Sequence, residues 1–269
     1  MSSRVKHILD ILEGVAPARL AEAWDNPGLQ VGGREAPVSR LLISLDPTLD
    51  AVREATRRGA QLLITHHPLI FKPISSIEPS RYPGDVLHEA IRNGIALACA
   101  HTNLDAARGG VNDLLAGLLD LRDLSVLEGP GEPAGEEGIG RIGALPRPLA
   151  LEAFAREVKG ALDAPVVGVV GSVGRTVRRG AVVGGSGGGL IEAAARKGAD
   201  VLVTGDVGHH DALSALAFGI AVVDAGHFHT EKAAMTGFRE TMESRLREAG
   251  HGAVAVELYH EEAAPMRYE

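Results

Sequence analysis

The chain has 269 residues, of which 45% are hydrophobic and only 3% aromatic, so a substantial core must be filled by Val, Leu, Ile and Ala. A formal net charge of −8 disfavours nucleic acid as the main partner, because phosphate binding calls for a basic face. A single cysteine excludes an intrachain disulfide framework and suits a reducing cytoplasm. There is no apolar run of about 18 residues and no signal-like N-terminus, so a cytoplasmic protein without a membrane span is expected.

Val5, Ile8, Leu9 and Leu12 recur at helical spacing, which predicts a helix over residues 3–14. A second short helix is expected from Leu20 to Trp24, before the turn signal Asn26-Pro27-Gly28. Trp24 reads as a core anchor and Asp25-Asn26 as turn formers; the alternative puts them at a pocket rim. Leu41–Asp46 is a strand, Thr48–Arg58 a helix closed by Gly59, and Gln61–Thr65 the next strand, forming a β-α-β unit. After a proline-containing loop, a helix is expected over 85–93, a strand over 95–100 and a helix over 111–119.

Residues 128–138, rich in Gly, Glu and Pro, read as a linker between a first lobe (1–127) and a second (128–269) that may exchange terminal segments with it. In the second lobe, strands are expected near 140–144, 166–170, 181–183, 201–204 and 221–224. Helices are expected over 149–162, 190–197 and 212–218. A long helix to about Glu248 and a strand over 253–258 end the chain. The run Gly184-Gly185-Ser186-Gly187-Gly188-Gly189 opens a helix. It reads equally as an anion cradle or as a tight strand-to-helix turn.

Gly59-Ala60-Gln61-Leu62-Leu63-Ile64-Thr65 resembles Gly198-Ala199-Asp200-Val201-Leu202-Val203-Thr204. Each stretch leads through a helix to a strand followed by a histidine and, four residues on, a carboxylate: His101 with Asp105, His227 with Glu231. The expectation is α/β: two related lobes facing each other, with a dinuclear metal site at the strand ends.

Strand ends in open α/β sheets are where sites form. Here they carry His66, His67, His101, Asp105, His227, His229 and Glu231, expected at one sheet edge, with Asp206 nearby. A lone His-His pair reads more readily as two loop histidines, solvated or bonded to backbone, and it is the rest of the chain that shifts the reading towards a site. Together these groups are more than one tetrahedral ion needs, and without thiolates they suit Zn, Fe, Mn, Co or Ni. On a helix His227 and His229 point about 200° apart, so both do not readily bind one ion. Cys99, inside a strand, reads as a buried small hydrophobe rather than a nucleophile.

The motifs Trp24-Asp25-Asn26-Pro27-Gly28-Leu29-Gln30, Thr65-His66-His67-Pro68, His101-Thr102-Asn103-Leu104-Asp105, Thr204-Gly205-Asp206 and Gly226-His227-Phe228-His229-Thr230-Glu231 run nearly end to end. In them the sequence resembles the GTP cyclohydrolase 1 type 2 homolog family of dinuclear-metal-centre proteins. The resemblance implies two divalent metal ions held by His66, His67, Asp105, His227 and Glu231, with Asp105 and Glu231 bridging. His101 and His210 would stand outside or weakly inside that set. It also implies a compact two-lobed protein assembling as a homohexamer.

A metal-dependent hydrolase acting on a nucleotide or related small molecule is the first expectation, with His101 as the catalytic proton shuttle. The alternative is a non-enzymatic scaffold for metal storage, delivery or regulation.

Overall fold

The computed structural model describes residues 3–129, 135–172, 174–267 and 269. The expected linker at 128–138 falls partly on 130–134, outside the described residues. The chain divides into two compact units, Met1–Leu104 with Met235–Ala263, and Asp105–Ala234 with Ala264–Glu269.

The chain opens with α1 (Val5–Val15), whose buried stripe is Val5, Ile8, Leu9, Leu12 and Val15. Strands β1 (Gly28–Val31) and β2 (Arg40–Ser44) follow. Helix α2 (Leu49–Arg58) is capped by the Thr48 side chain, which accepts from Ala51 N–H, and ends at Gly59 in the left-handed region. Then come β3 (Leu62–Thr65), α3 (Gly84–Arg92), β4 (Ala96–Cys99), and the short α4 (Thr102–Ala106).

Next are α5 (Val111–Leu118), β5 (Arg122–Glu128), β6 (Ile139–Ala150), α6 (Leu151–Ala161), β7 (Gly168–Val170) and β8 (Thr176–Ser186). A 3₁₀ turn leads into α7 (Ile191–Arg196), β9 (Val201–Gly205), α8 (His209–Phe218) and β10 (Ala221–Asp224). The chain closes with α9 (His227–Lys232), α10 (Met235–Glu248) and β11 (Ala255–Leu258).

The first unit holds a five-stranded sheet, β1-β4-β3-β2-β11; the second holds a six-stranded sheet, β5-β6-β8-β9-β10-β7. The histidines expected at one sheet edge therefore follow strands of two different sheets. Two further expectations are corrected. The helix expected over 20–24 is absent beyond Leu20, which ends a 3₁₀ turn at Ala18–Leu20. The long C-terminal helix is two, α9 and α10, and they belong to different units.

The internal duplication is visible in the hydrogen-bond ladders. β3 and β4 are parallel with Leu62 opposite Ala96 and Thr65 opposite Cys99. β9 and β10 are parallel with Val201 opposite Ala221 and Thr204 opposite Asp224. Ala100 N–H donates to Thr65 O at 3.0 Å, and Ala225 N–H donates to Thr204 O at 2.8 Å. In each sheet a short antiparallel edge strand flanks the pair: β1 beside β4, and β7 beside β10.

Parallel strands covered on both faces need apolar residues at every position. β9 meets this by alternation: Val201 and Val203 pack with Phe154 and Val158 of α6, while Leu202 packs with Ile191 and Ala194 of α7. In the first unit Leu42, Leu63 and Leu97 pack against Val52 of α2 and Val86 of α3. These rigid frames fix the strand ends from which the polar residues project.

Candidate metal centre

In the first unit the two histidines turn out of β3 with their backbone held against the end of β2. His66 N–H donates to Leu45 O at 3.1 Å and His67 N–H to the same oxygen at 3.0 Å. The His66 side chain is buried, and its Nδ1 pairs with Ala100 O at 2.9 Å. His67 Nδ1 pairs with Asp46 Oδ1 at 2.8 Å. His101, directly after β4, pairs its Nδ1 with Asp25 Oδ1 at 2.8 Å.

A carbonyl or carboxylate oxygen only accepts, so each Nδ1 is the donor and each Nε2 carries the lone pair. That tautomer, fixed from behind by an oxygen, is the one metal-ligating histidines adopt. One ring nitrogen from each of His66, His67 and His101 lies within 4.8 Å of the others. The three rings fit a divalent ion of the borderline class in ligand type and spacing.

Asp25 does more than form a turn. Its side chain is fully buried, and Oδ2 accepts from Thr102 N–H at 3.1 Å and from the Thr102 hydroxyl at 2.5 Å. Burial alone would raise its pKa. The hydrogen bonds from His101 and Thr102 outweigh that and bring it to about 2. Trp24 is not the core anchor expected: it is 57% exposed, with its ring edge-on to Phe71 and His101. Cys99 is buried, and desolvation, with the Asp25 charge adding, pushes its thiol up to about 12. It is the inert hydrophobe its strand position predicts.

In the second unit α9 starts at His227, so His227 and Glu231 share a face as their spacing predicts. His227 Nε2 lies 3.1 Å from Glu231 Oε2, and its Nδ1 pairs with Asp206 Oδ2 at 2.7 Å. Thr230 ties α9 to β8, its hydroxyl accepting from Gly185 N–H at 3.0 Å. Gly185 has φ +67°, and a Cβ there would collide with the Glu231 carboxylate. A Cβ on Gly188 would likewise meet Asp211. Gly185 and Gly188 thus allow close packing around two carboxylates.

Asp105 lies on α4, partly buried, and Asn112 Nδ2 donates to its carbonyl at 3.0 Å. His229 packs against Phe228, and desolvation lowers its pKa. His210 is exposed on α8 beside His209. Asp206, Val207, His227, Phe228, Pro265 and Met266 are among the residues lining a cavity of about 310 Å³.

The structure thus brings together His66, His67 and His101 in one unit, and His227 with Glu231 in the other. Asp25 and Asp46 escaped sequence reasoning as partners. Asp46 was findable, because it ends a predicted strand beside the His-His motif. Asp25 was not, because 76 residues separate it from His101.

Among the described residues no helix is long and apolar enough to cross a membrane. The family profile Duf34/NIF3 (NGG1p interacting factor 3) matches residues 3–265. A GTP cyclohydrolase 1 type 2 homolog of Clostridium acetobutylicum is 35% identical, covering 93% of each chain. One from Streptomyces coelicolor is 40% identical over 85% of this chain and 81% of its own. Among solved structures, a hypothetical protein of Staphylococcus aureus superposes with TM-score 0.95 at 29% identity, over the whole of both chains. Reduced HcgD from Methanocaldococcus jannaschii superposes with TM-score 0.79 at 32% identity, over 97% of this chain and 99% of its own. The chain belongs to the Duf34/NIF3 family.

Proposed function

We propose that the protein binds two divalent metal ions through His66, His67, Asp105, His227 and Glu231 and hydrolyses a nucleotide or related small molecule. The observation that carries this reading is the repeated orientation of the imidazoles. His66, His67, His101 and His227 each give Nδ1 to an oxygen acceptor and keep Nε2 for another partner. The name shared by the Clostridium and Streptomyces relatives supports the nucleotide class.

Divalent ions held by these residues would supply a Lewis acid and lower the pKa of a nearby water. The chain's own residues supply the rest. Asp25, ionised and buried, holds His101 with its proton on Nδ1, so that Nε2 can take a proton from water and return it to a leaving group. Asp46 holds His67 in the same tautomer, and Asp206 orients the His227 ring through its Nδ1.

Purified protein is loaded with each candidate metal and assayed against nucleotides for ring opening and phosphate release. Turnover that is lost in Asp105→Ala with the fold intact supports the hydrolase. Metal transfer to an acceptor without turnover supports the storage or delivery alternative. The homohexamer is part of the same proposal, and the exposed Leu213, Leu216 and Phe218 of α8 are apolar surface of the kind that assembly covers. Light scattering on the eluted protein tests it.

A further inference from the structure

The first unit presents an arrangement that the metal ligands do not require. Trp24 is 57% exposed and Phe71 45% exposed, yet both rings pack edge-on to His101, with centroids 6.0 and 6.4 Å away. Their own centroids are 5.7 Å apart at 63°. Two large aromatics left in water beside an imidazole cluster sacrifice hydrophobic burial that a core position would have given.

They are also held in place. Gln30 Oε1 accepts from Leu69 N–H at 2.8 Å and Ile70 N–H at 3.0 Å, and Asn26 Nδ2 donates to Ile70 O at 2.6 Å. Gln30 Nε2 in turn donates to Asn26 O at 2.9 Å. The segment carrying Phe71 is thereby pinned to the segment carrying Trp24. Side chains that are exposed but fixed are preorganised for a ligand, because little freedom is left to lose on binding.

We propose that Trp24 and Phe71 form a stacking platform for a planar aromatic or heteroaromatic ring, bound beside His101. Such a ring presents a π-face to any aromatic wall, and stacking tolerates differences in its substituents. This deepens the proposed function by naming the part of the substrate that is gripped. It rests on that reading only for what happens to the ring after binding.

Trp24 is the chain's only tryptophan, so emission excited selectively from tryptophan, at wavelengths where the three tyrosines do not absorb, reports on this site alone. Full-length protein, both metal-loaded and chelator-stripped, is titrated with guanosine, uridine and nicotinamide, with ribose 5-phosphate as the non-aromatic control. Saturable quenching by at least one ring compound and none by ribose 5-phosphate is expected. Phe71→Leu should weaken that binding about 5- to 150-fold, the range that stacking of one base is worth. Its circular dichroism and metal content should stay at wild-type values, since Phe71 is half-exposed. Trp24→Leu, followed by calorimetry, should lose binding similarly.

Absence of quenching by all three ring compounds would overturn the platform, as would equal quenching by ribose 5-phosphate or a Phe71→Leu protein that binds as wild type. The metal reading fails separately. Ring binding that survives in a protein unable to hold metal keeps the platform and removes the hydrolase. Two metals per chain with no ring binding does the reverse.

Discussion

His101 and Asp25 are joined by a 2.8 Å hydrogen bond between imidazole Nδ1 and carboxylate Oδ1, and Thr102 closes on the same carboxylate through both its N–H and its hydroxyl. The carboxylate orients the ring, and the ring with Thr102 keeps the carboxylate ionised despite burial. Asp25→Asn would set an amide NH₂ against one of these donors. A loss of about 1–3 kcal/mol is expected, the cost of an unsatisfied buried polar group. Turnover should fall about 10²- to 10⁴-fold, the contribution of a positioned general acid–base group, because Asp25 orients the proposed proton shuttle.

The same pair predicts a pH dependence. Asp25 has its pKa lowered from 3.8 to about 2. Its contribution is therefore fully present above the unfolded value and is lost as pH falls through the folded one. Urea unfolding of wild type and Asp25→Asn should differ most at neutral pH, and the gap should close as pH falls from about 4 towards 2. A gap that widens on acidification would contradict the assignment.

Gly185 and Glu231 give a second test. Gly185→Ala forces a side chain into the left-handed region and against the Glu231 carboxylate. The conformational cost alone is about 1–2 kcal/mol. A lower melting temperature and reduced metal content are expected together. Retained metal content would show that Glu231 is not displaced or not a ligand.

Cys99 should be silent towards thiol reagents in the folded protein, because burial holds the thiol protonated and out of reach. A disulfide-exchange reagent should label it only on denaturation, with one equivalent per chain, since no other cysteine is present. Rapid labelling of native protein would contradict the burial.

The parts of the fold that the sequence revealed are those where one physical effect dominates. β2, β3, β4, β9 and β10 are short apolar runs buried on both faces, and all were expected within a residue or two. Two edge strands carry no such signal: β5 reads Arg-Asp-Leu-Ser-Val-Leu-Glu and leaves its first four residues exposed. β1, only partly buried over most of its length, was hidden behind the turn signal. β6 runs past Pro146 and Pro148, which a central strand forbids, because its ladder with β8 is interrupted between Ala144 and Leu149. The break between α9 and α10 falls at Ala233-Ala234, where no Gly or Pro announces it.

His66, His67, His101, His227 and Glu231, the residues that fall in groups able to hold a metal ion, stood out in the sequence because they follow strands in repeated spacing. Trp24 was misread because hydrophobicity alone places a tryptophan inside. Only the tertiary structure shows that it stands in water against His101.

The most direct test of the metal centre is the metal content of protein purified without added metal or a histidine tag, as wild type and as Glu231→Ala. About two divalent ions per wild-type chain, falling sharply in the variant while the fold is retained, is the predicted result. Less than about half an ion per chain, unchanged by the substitution and not restored by added divalent metal, would contradict the two-metal account.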